Sequence, residues 1–151
     1  MDQQVTLIGF GEAGSTFARA ADWAEAAHVF DVADKAAACA EAGVTCCRSA
    51  GEALANSMTI LSVVTADAAL RVAEHAAQHI APGALFFDMN SVAPNTKRAA
   101  AKAIDAAGGR YVDVAVMAPG HPARLGGSLF LSGPHPPGAP DALDAFGFTQ
   151  L

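Results

Sequence analysis

Short apolar runs alternate with alanine-rich segments of helical periodicity along most of the chain. Residues 58–64 form an apolar run, which is typical of a parallel strand covered on both faces. Ser49 and Glu52 have the spacing of a capping box, which predicts a short helix to about Ala55. The pattern predicts strands over 5–9, 28–31, 44–46, 58–64, 85–88, 110–116 and 128–132. It predicts helices over about 13–21, 34–42, 50–55, 66–80 and 94–107.

The alternation of strands and helices predicts the fold class. Repeated βαβ units with right-handed crossovers build an α/β, Rossmann-type, doubly wound and mostly parallel sheet in three α/β/α layers. Ligands bind such sheets beyond the carboxyl ends of the strands. Residues from several segments are expected to meet at that edge: Gly11, Asp31, Thr65, Asn90 and Met117.

The glycine-rich turn after the first predicted strand is the strongest candidate for ligand binding. Gly9 permits a tight turn, Gly11 lets the backbone approach a diphosphate, and Gly14 lets the next helix pack closely on the sheet. The N-terminus of that helix favours negative charge. A merely structural turn is the alternative in a chain rich in glycine and alanine. The predicted cofactor contacts of this turn are Gly9, Phe10, Gly11, Glu12, Ala13 and Gly14.

Asp31 ends the second predicted strand, about 20 residues beyond the glycines, where a carboxylate can bind the adenosine ribose. A carboxylate there repels the 2′-phosphate of NADP, so the sequence favours NAD. Lys35 and Arg48 lie near enough in sequence to supply a compensating charge, which keeps NADP open. The alternative for Asp31 is a solvated residue at a strand end.

Composition narrows the function classes. The chain has 151 residues, of which 52% are hydrophobic and 16% charged, enough for one domain with a real core. The formal net charge of −6 and the lack of a basic run argue against nucleic-acid binding. No apolar stretch approaches a membrane span, and the N-terminus has no signal-peptide pattern, so a cytoplasmic location is expected.

The three cysteines suit neither a disulfide framework nor a zinc site. Cys39 and Cys46 are interpreted as small buried hydrophobes. His75 and His79 have the i, i+4 spacing of a metal pair. With no third ligand nearby in the sequence they are predicted to be exposed helix residues, and no metal site is predicted.

The composition changes after residue 133. Residues 134–151 are rich in proline and hold one short helix candidate over 141–146. We therefore expect a dinucleotide-binding domain over 1–133 and a proline-rich tail over 134–151.

Two further segments complete a family resemblance. Residues 88–94, Asp-Met-Asn-Ser-Val-Ala-Pro, resemble the D-x-S/T-x-x-P stretch of the β-hydroxyacid dehydrogenases, which include 3-hydroxyisobutyrate and 6-phosphogluconate dehydrogenases. Residues 111–117 resemble that family's segment before a glycine-rich loop. The resemblance implies hydride transfer between a nicotinamide cofactor and a hydroxy acid or related alcohol. It places Val64, Thr65 and Ala66 beside the nicotinamide, and Asn90, Ser91 and Met117 in the substrate pocket.

The chain departs from the family pattern in several respects, two of which bear on its chemistry. Pro119 has no backbone N–H, which weakens the expected carboxylate cradle. The family's second, helical domain, which supplies the proton-relay lysine and the dimer interface, is expected to be absent. Lys97 and Lys102 are predicted to be solvated, and His121 is the candidate acid–base group.

The functional expectation is a dinucleotide-binding domain that is catalytically incomplete alone, with a homodimer as a further partner that the resemblance implies. A non-catalytic dinucleotide-binding or regulatory module is the alternative from another class. A fragment without independent function is the third.

Overall fold

The computed structural model describes residues 4–11, 18, 27–55, 57–116, 129–132 and 136–145. The strands are β1 Val5–Ile8, β2 Ala27–Phe30, β3 Thr45–Cys46, β4 Thr59–Ser62, β5 Leu85–Asp88, β6 Arg110–Val116 and β7 Leu129–Ser132. The helices are α1 Ala36–Ala42, α2 Ala50–Leu54, α3 Ala69–Ala77, α4 Pro94–Ala106 and α5 Ala139–Ala145. Of the helix expected over 13–21, only Ala18 is among the described residues, and it is helical and buried.

The strands form one seven-stranded sheet in the order β3-β2-β1-β4-β5-β6-β7. The first six strands in this order are mutually parallel, and β7 pairs antiparallel with β6. The chain order reverses between β1 and β4, which creates the topological switch point of a doubly wound sheet. The predicted Rossmann-type α/β fold is confirmed.

Each face of the sheet carries its own apolar core. Neighbouring residues of one strand contribute to opposite faces: Phe87 packs in one cluster and Phe86 in the other. The first cluster also contains Leu143 of α5, whereas the second contains Ile104 of α4. Because both faces are covered, the strands are apolar at consecutive positions rather than at alternate ones.

The helix after β4 is shorter than predicted. α3 begins at Ala69, because residues 66–68 form a turn in which the Ala68 N–H donates to the Thr65 carbonyl. It ends at Ala77, three residues before the predicted end at 80. The sequence pattern fixed the centre of this helix but not its ends, as is usual where no strong capping residue is present.

One cysteine prediction is wrong. Cys39 is buried, but Cys46 is exposed because it lies in β3, a two-residue strand at the edge of the sheet. Burial raises the pKa of the Cys39 thiol to about 12, and burial also raises the pKa of Cys47.

Within the described part of the chain, none of the helices is long and apolar enough to cross a bilayer.

Candidate functional site: a cleft at the switch point

A cleft of about 570 Å³ opens beyond the carboxyl ends of β1, β2 and β4, at the point where the strand order reverses. Its polar lining residues come from the loops after β2 and β4 and from α3, whereas the rest of its lining is largely apolar. The described residues that line it include Gly9, Gly11, Asp31, Val32, Lys35, Val64, Thr65, Arg71 and His75.

Gly9 and Gly11 differ in what surrounds them. Gly9 has a positive φ of 100°, and a Cβ there would lie 2.0 Å from the Val63 carbonyl oxygen. Only glycine fits this close approach of β1 to the loop after β4. Gly11 does not have a positive φ, and a Cβ there meets no described atom within 4 Å. Gly9 is therefore required by the fold, whereas Gly11 leaves bare backbone facing the open cleft.

Asp31 is fixed by the backbone on both sides. One carboxylate oxygen accepts from the Phe10 N–H at 2.7 Å, and the other accepts from the Ala33 N–H at 2.9 Å. The Gly9 N–H donates to the Phe30 carbonyl at 2.9 Å. These bonds tie the turn after β1 to the end of β2 and leave the half-buried Asp31 at the cleft wall.

The cations around the cleft differ from those that sequence spacing suggested. Lys35 lines the cleft as expected, but Arg48 is exposed and is not among the described lining residues. Arg71 of α3 lines the cleft instead. Its i, i+4 spacing with His75 was the available signal, since both residues lie on one helix face.

The loop after β4 forms the wall opposite Asp31. Val64 and Thr65 line the cleft, whereas Ala66 is exposed and is not among the described lining residues. The Val63 N–H donates to the Ile8 carbonyl at 2.9 Å, which joins the loop to β1.

Asn90 and Ser91 border a second groove, of about 890 Å³, between α4 and β6. Asn90 is buried, and its amide is held at the ends of two strands. Its Oδ1 accepts from the Val64 N–H at 2.7 Å, and its Nδ2 donates to the Ser62 hydroxyl and to Asp88. Asn90 thus connects the second groove to the wall of the cleft.

The expectation that Lys97 is solvated is wrong. Its side chain is 12% exposed and its ammonium group pairs with the Asp113 carboxylate. It also donates to the carbonyls of Asp88 and Val114, both at 3.2 Å. The helical pattern did not show that α4 packs at this residue against the end of β5 and the middle of β6. Lys102 is exposed, as predicted.

His75 on α3 and His79 in the turn after it are both exposed, as predicted, but His79 lies beyond the end of the helix; their ring centroids are 5.5 Å apart. The remaining sequence-predicted site residues fall outside the described residues: Glu12, Ala13, Gly14, Met117 and His121.

Residues 4–142 match the model of the NAD-binding domain of 6-phosphogluconate dehydrogenase. The chain belongs to this family. Binding of a nicotinamide dinucleotide is the function that membership gives it, and the described cleft fits such a group. The turn at Gly9 is fixed, Gly11 is open to a ligand, and the cleft lies at the switch point. No curated protein matches the chain in sequence.

Several solved structures share the fold over the whole chain. A conserved hypothetical protein from Sinorhizobium meliloti 1021 is 32% identical, with a TM-score of 0.88 over 100% of this chain and 54% of that one. The conserved protein MTH1747, described as structurally similar to 3-hydroxyacid dehydrogenases, is 25% identical, with a TM-score of 0.79 over 97% and 56%. The 3-hydroxyisobutyrate dehydrogenase of Mycobacterium tuberculosis, solved with L-serine, is 19% identical, with a TM-score of 0.83 over 100% and 54%. This chain spans about half the length of these neighbours.

Proposed function

We propose that the cleft binds the dinucleotide with its diphosphate at the Gly9–Gly11 turn. The open position at Gly11, beside a turn that Gly9 fixes, is the observation that carries this proposal. The backbone N–H groups there suit a diphosphate, as does the N-terminus of the helix that the sequence predicts after the turn. The full set of proposed cofactor contacts is Gly9, Phe10, Gly11, Glu12, Ala13, Gly14, Asp31, Val64, Thr65 and Ala66.

We further propose NAD(H) over NADP(H). Asp31 places a carboxylate at the cleft wall, where it can accept from the ribose hydroxyls and repel a 2′-phosphate. Lys35 and Arg71 line the same cleft, and their positive charges weaken the preference for NAD(H). In our proposal they do not reverse it.

The whole protein is proposed to be an oxidoreductase acting on a hydroxy acid or a related alcohol. The bound nicotinamide supplies the hydride acceptor or donor. Ser91 and Asn90 border the groove beside the cleft, and together with Met117 they are the proposed substrate contacts. His121 is the proposed group that takes or gives the hydroxyl proton.

Titration of the purified chain with NADH, followed by cofactor fluorescence, tests the cofactor site. We expect saturable binding by the wild type and a loss of at least about tenfold in affinity for Gly11→Val, because the added isopropyl group fills the diphosphate position. Equal affinities for the two proteins would reject the diphosphate site.

A non-catalytic dinucleotide-binding module is the second candidate, because the same cleft serves it without the groove. Reduction of NAD by a panel of 2- and 3-hydroxy acids, measured on the whole protein, separates the two, since only the oxidoreductase produces NADH. The domain division at residue 133, a homodimer and a cytoplasmic location stay predictions of the sequence.

A further inference from the structure

Asn90 joins the end of β5 to the loop after β4 through its side-chain amide. The Val64 N–H can only donate and the Asp88 carboxylate can only accept, so one orientation of the amide satisfies both partners. Asn90 is 5% exposed, and its amide oxygen and nitrogen are both bonded to protein. The amide therefore holds one position.

The Asp88 carboxylate accepts hydrogen bonds from Asn90 and fixes its position. It is 1% exposed, and a buried carboxylate needs several donors. One oxygen accepts from the Asn90 backbone N–H at 3.1 Å and from the Asn90 side chain at 2.9 Å. The other accepts from the Tyr111 hydroxyl at 2.7 Å. Removal of the Tyr111 hydroxyl leaves that oxygen without its described donor.

The loop that receives this support lies in the cleft. Val64 is bonded to Asn90 through its backbone N–H, and Val64 and Thr65 line the cleft on the side opposite Asp31. The Val63 carbonyl lies against Gly9, so it limits how closely the turn after β1 can approach the loop after β4. A shift of this loop changes the width of one half of the cleft.

We propose that Asp88, Asn90 and Tyr111 are positioning residues, here termed the Asp88 brace, that set the nicotinamide half of the cleft through the backbone of Val64. The inference rests on the proposed function, which puts Val64 and Thr65 beside the nicotinamide. The other half of the cleft, where we place the diphosphate and the adenosine, is shaped by the Gly9–Gly11 turn and Asp31 and not by the Asp88 brace.

Paired titrations with NADH and ADP-ribose test this, because ADP-ribose lacks the nicotinamide. For Tyr111→Phe and Asn90→Ala we expect the Kd for NADH to rise about five- to tenfold, the range for one or two lost hydrogen bonds. The Kd for ADP-ribose should change by less than about twofold. A merely destabilising role would not separate the two ligands.

Thr6→Val is the matched control. Thr6 is also buried, and its hydroxyl donates to the Ala53 carbonyl at 2.6 Å, away from the loop after β4. Loss of the Thr6 hydroxyl should lower the thermal stability, as loss of the Tyr111 hydroxyl does. The ratio of the Kd for NADH to the Kd for ADP-ribose should stay at the wild-type value.

Hydrogen exchange of the Val64 amide provides the direct readout. Tyr111→Phe should speed this exchange while exchange at the Val63 amide, which donates to Ile8, stays slow. Unchanged Val64 exchange, or equal loss of NADH and ADP-ribose affinity, would overturn the proposal for the Asp88 brace. If the wild type binds neither ligand, the proposed function itself fails, which is a different result. Tyr111→Phe changes one atom and keeps the test valid if Asn90→Ala does not fold.

Discussion

The carboxylate of Asp31 accepts the backbone N–H of Phe10 at 2.7 Å and so joins the end of β2 to the turn after β1. The same residue is the one proposed to face the adenosine ribose. One side chain therefore supports the Gly9–Gly11 turn and supplies negative charge at the cleft wall. Under the proposed function, cofactor preference and turn geometry are coupled through this contact.

Asp31→Asn tests the charge part of that coupling. The amide oxygen still accepts one backbone bond, but the negative charge is lost. We expect the affinity ratio of NADPH to NADH to rise about fivefold, the effect of removing one partly screened charge near a phosphate. Direct titration with both reduced cofactors measures it.

Asp34→Asn is the control for this prediction. Asp34 is an exposed acid in the same loop that also accepts a backbone N–H, from Ala36 at 3.0 Å. Its neutralisation should leave the cofactor ratio unchanged. A shift of equal size in both variants would assign the preference to the general field of the loop.

Gly9→Ala and Gly11→Ala compare how much each glycine contributes to the free energy of unfolding. A Cβ at Gly9 meets the Val63 carbonyl oxygen at 2.0 Å on a backbone of positive φ, so we expect a loss of about 3 kcal/mol or more in the free energy of unfolding. At Gly11 the change should lie between zero and a gain of about 1 kcal/mol, because alanine restricts the unfolded chain. Urea unfolding followed by circular dichroism measures both. A large loss at Gly11 would mean that its backbone serves the fold.

Lys97→Met should lower the free energy of unfolding by about 2 kcal/mol or more. The substitution leaves Asp113 and the carbonyls of Asp88 and Val114 without their ammonium donor, although Asp113 is 32% exposed and water relieves part of the cost. Lys102→Met on the same helix is exposed and should change the stability by less than about 0.5 kcal/mol. Equal effects of the two substitutions would show that the buried contacts of Lys97 add nothing to stability.

Tyr111 makes the free energy of unfolding depend on pH in the alkaline range. Burial, and then the hydrogen bond to Asp88, raise the pKa of Tyr111 well above its usual range. The folded state therefore keeps the proton after the unfolded state loses it near pH 10, and stability falls as the pH rises above about 10. The slope is up to about 1.4 kcal/mol per pH unit.

Tyr111→Phe should remove this part of the slope in unfolding experiments across the alkaline range. Because the chain has one tyrosine, tyrosinate absorbance reports this residue alone. It should appear only with unfolding. Tyrosinate formation in the folded protein at about pH 10 would contradict the prediction.

The candidate site was predictable where a local pattern has one geometric meaning. The spacing of Gly9, Gly11 and Asp31 with the strands around them predicted the edge of the sheet where all three lie. Thr65 reaches the same cleft because parallel strands place their carboxyl ends together. Arg71 was missed because a helical residue can face either the cleft or the solvent, and spacing alone does not distinguish them.

The amino-acid sequence by itself determined the order of strands and helices, the doubly wound sheet and the position of the glycine turn, because these follow from periodicity and from the backbone freedom of glycine. Packing between distant segments instead half-buries Lys97, leaves Cys46 exposed and lets Asn90 accept a hydrogen bond from the Val64 N–H. Each of those outcomes depends on which elements pack over a residue, and that is set by contacts between segments distant in the chain.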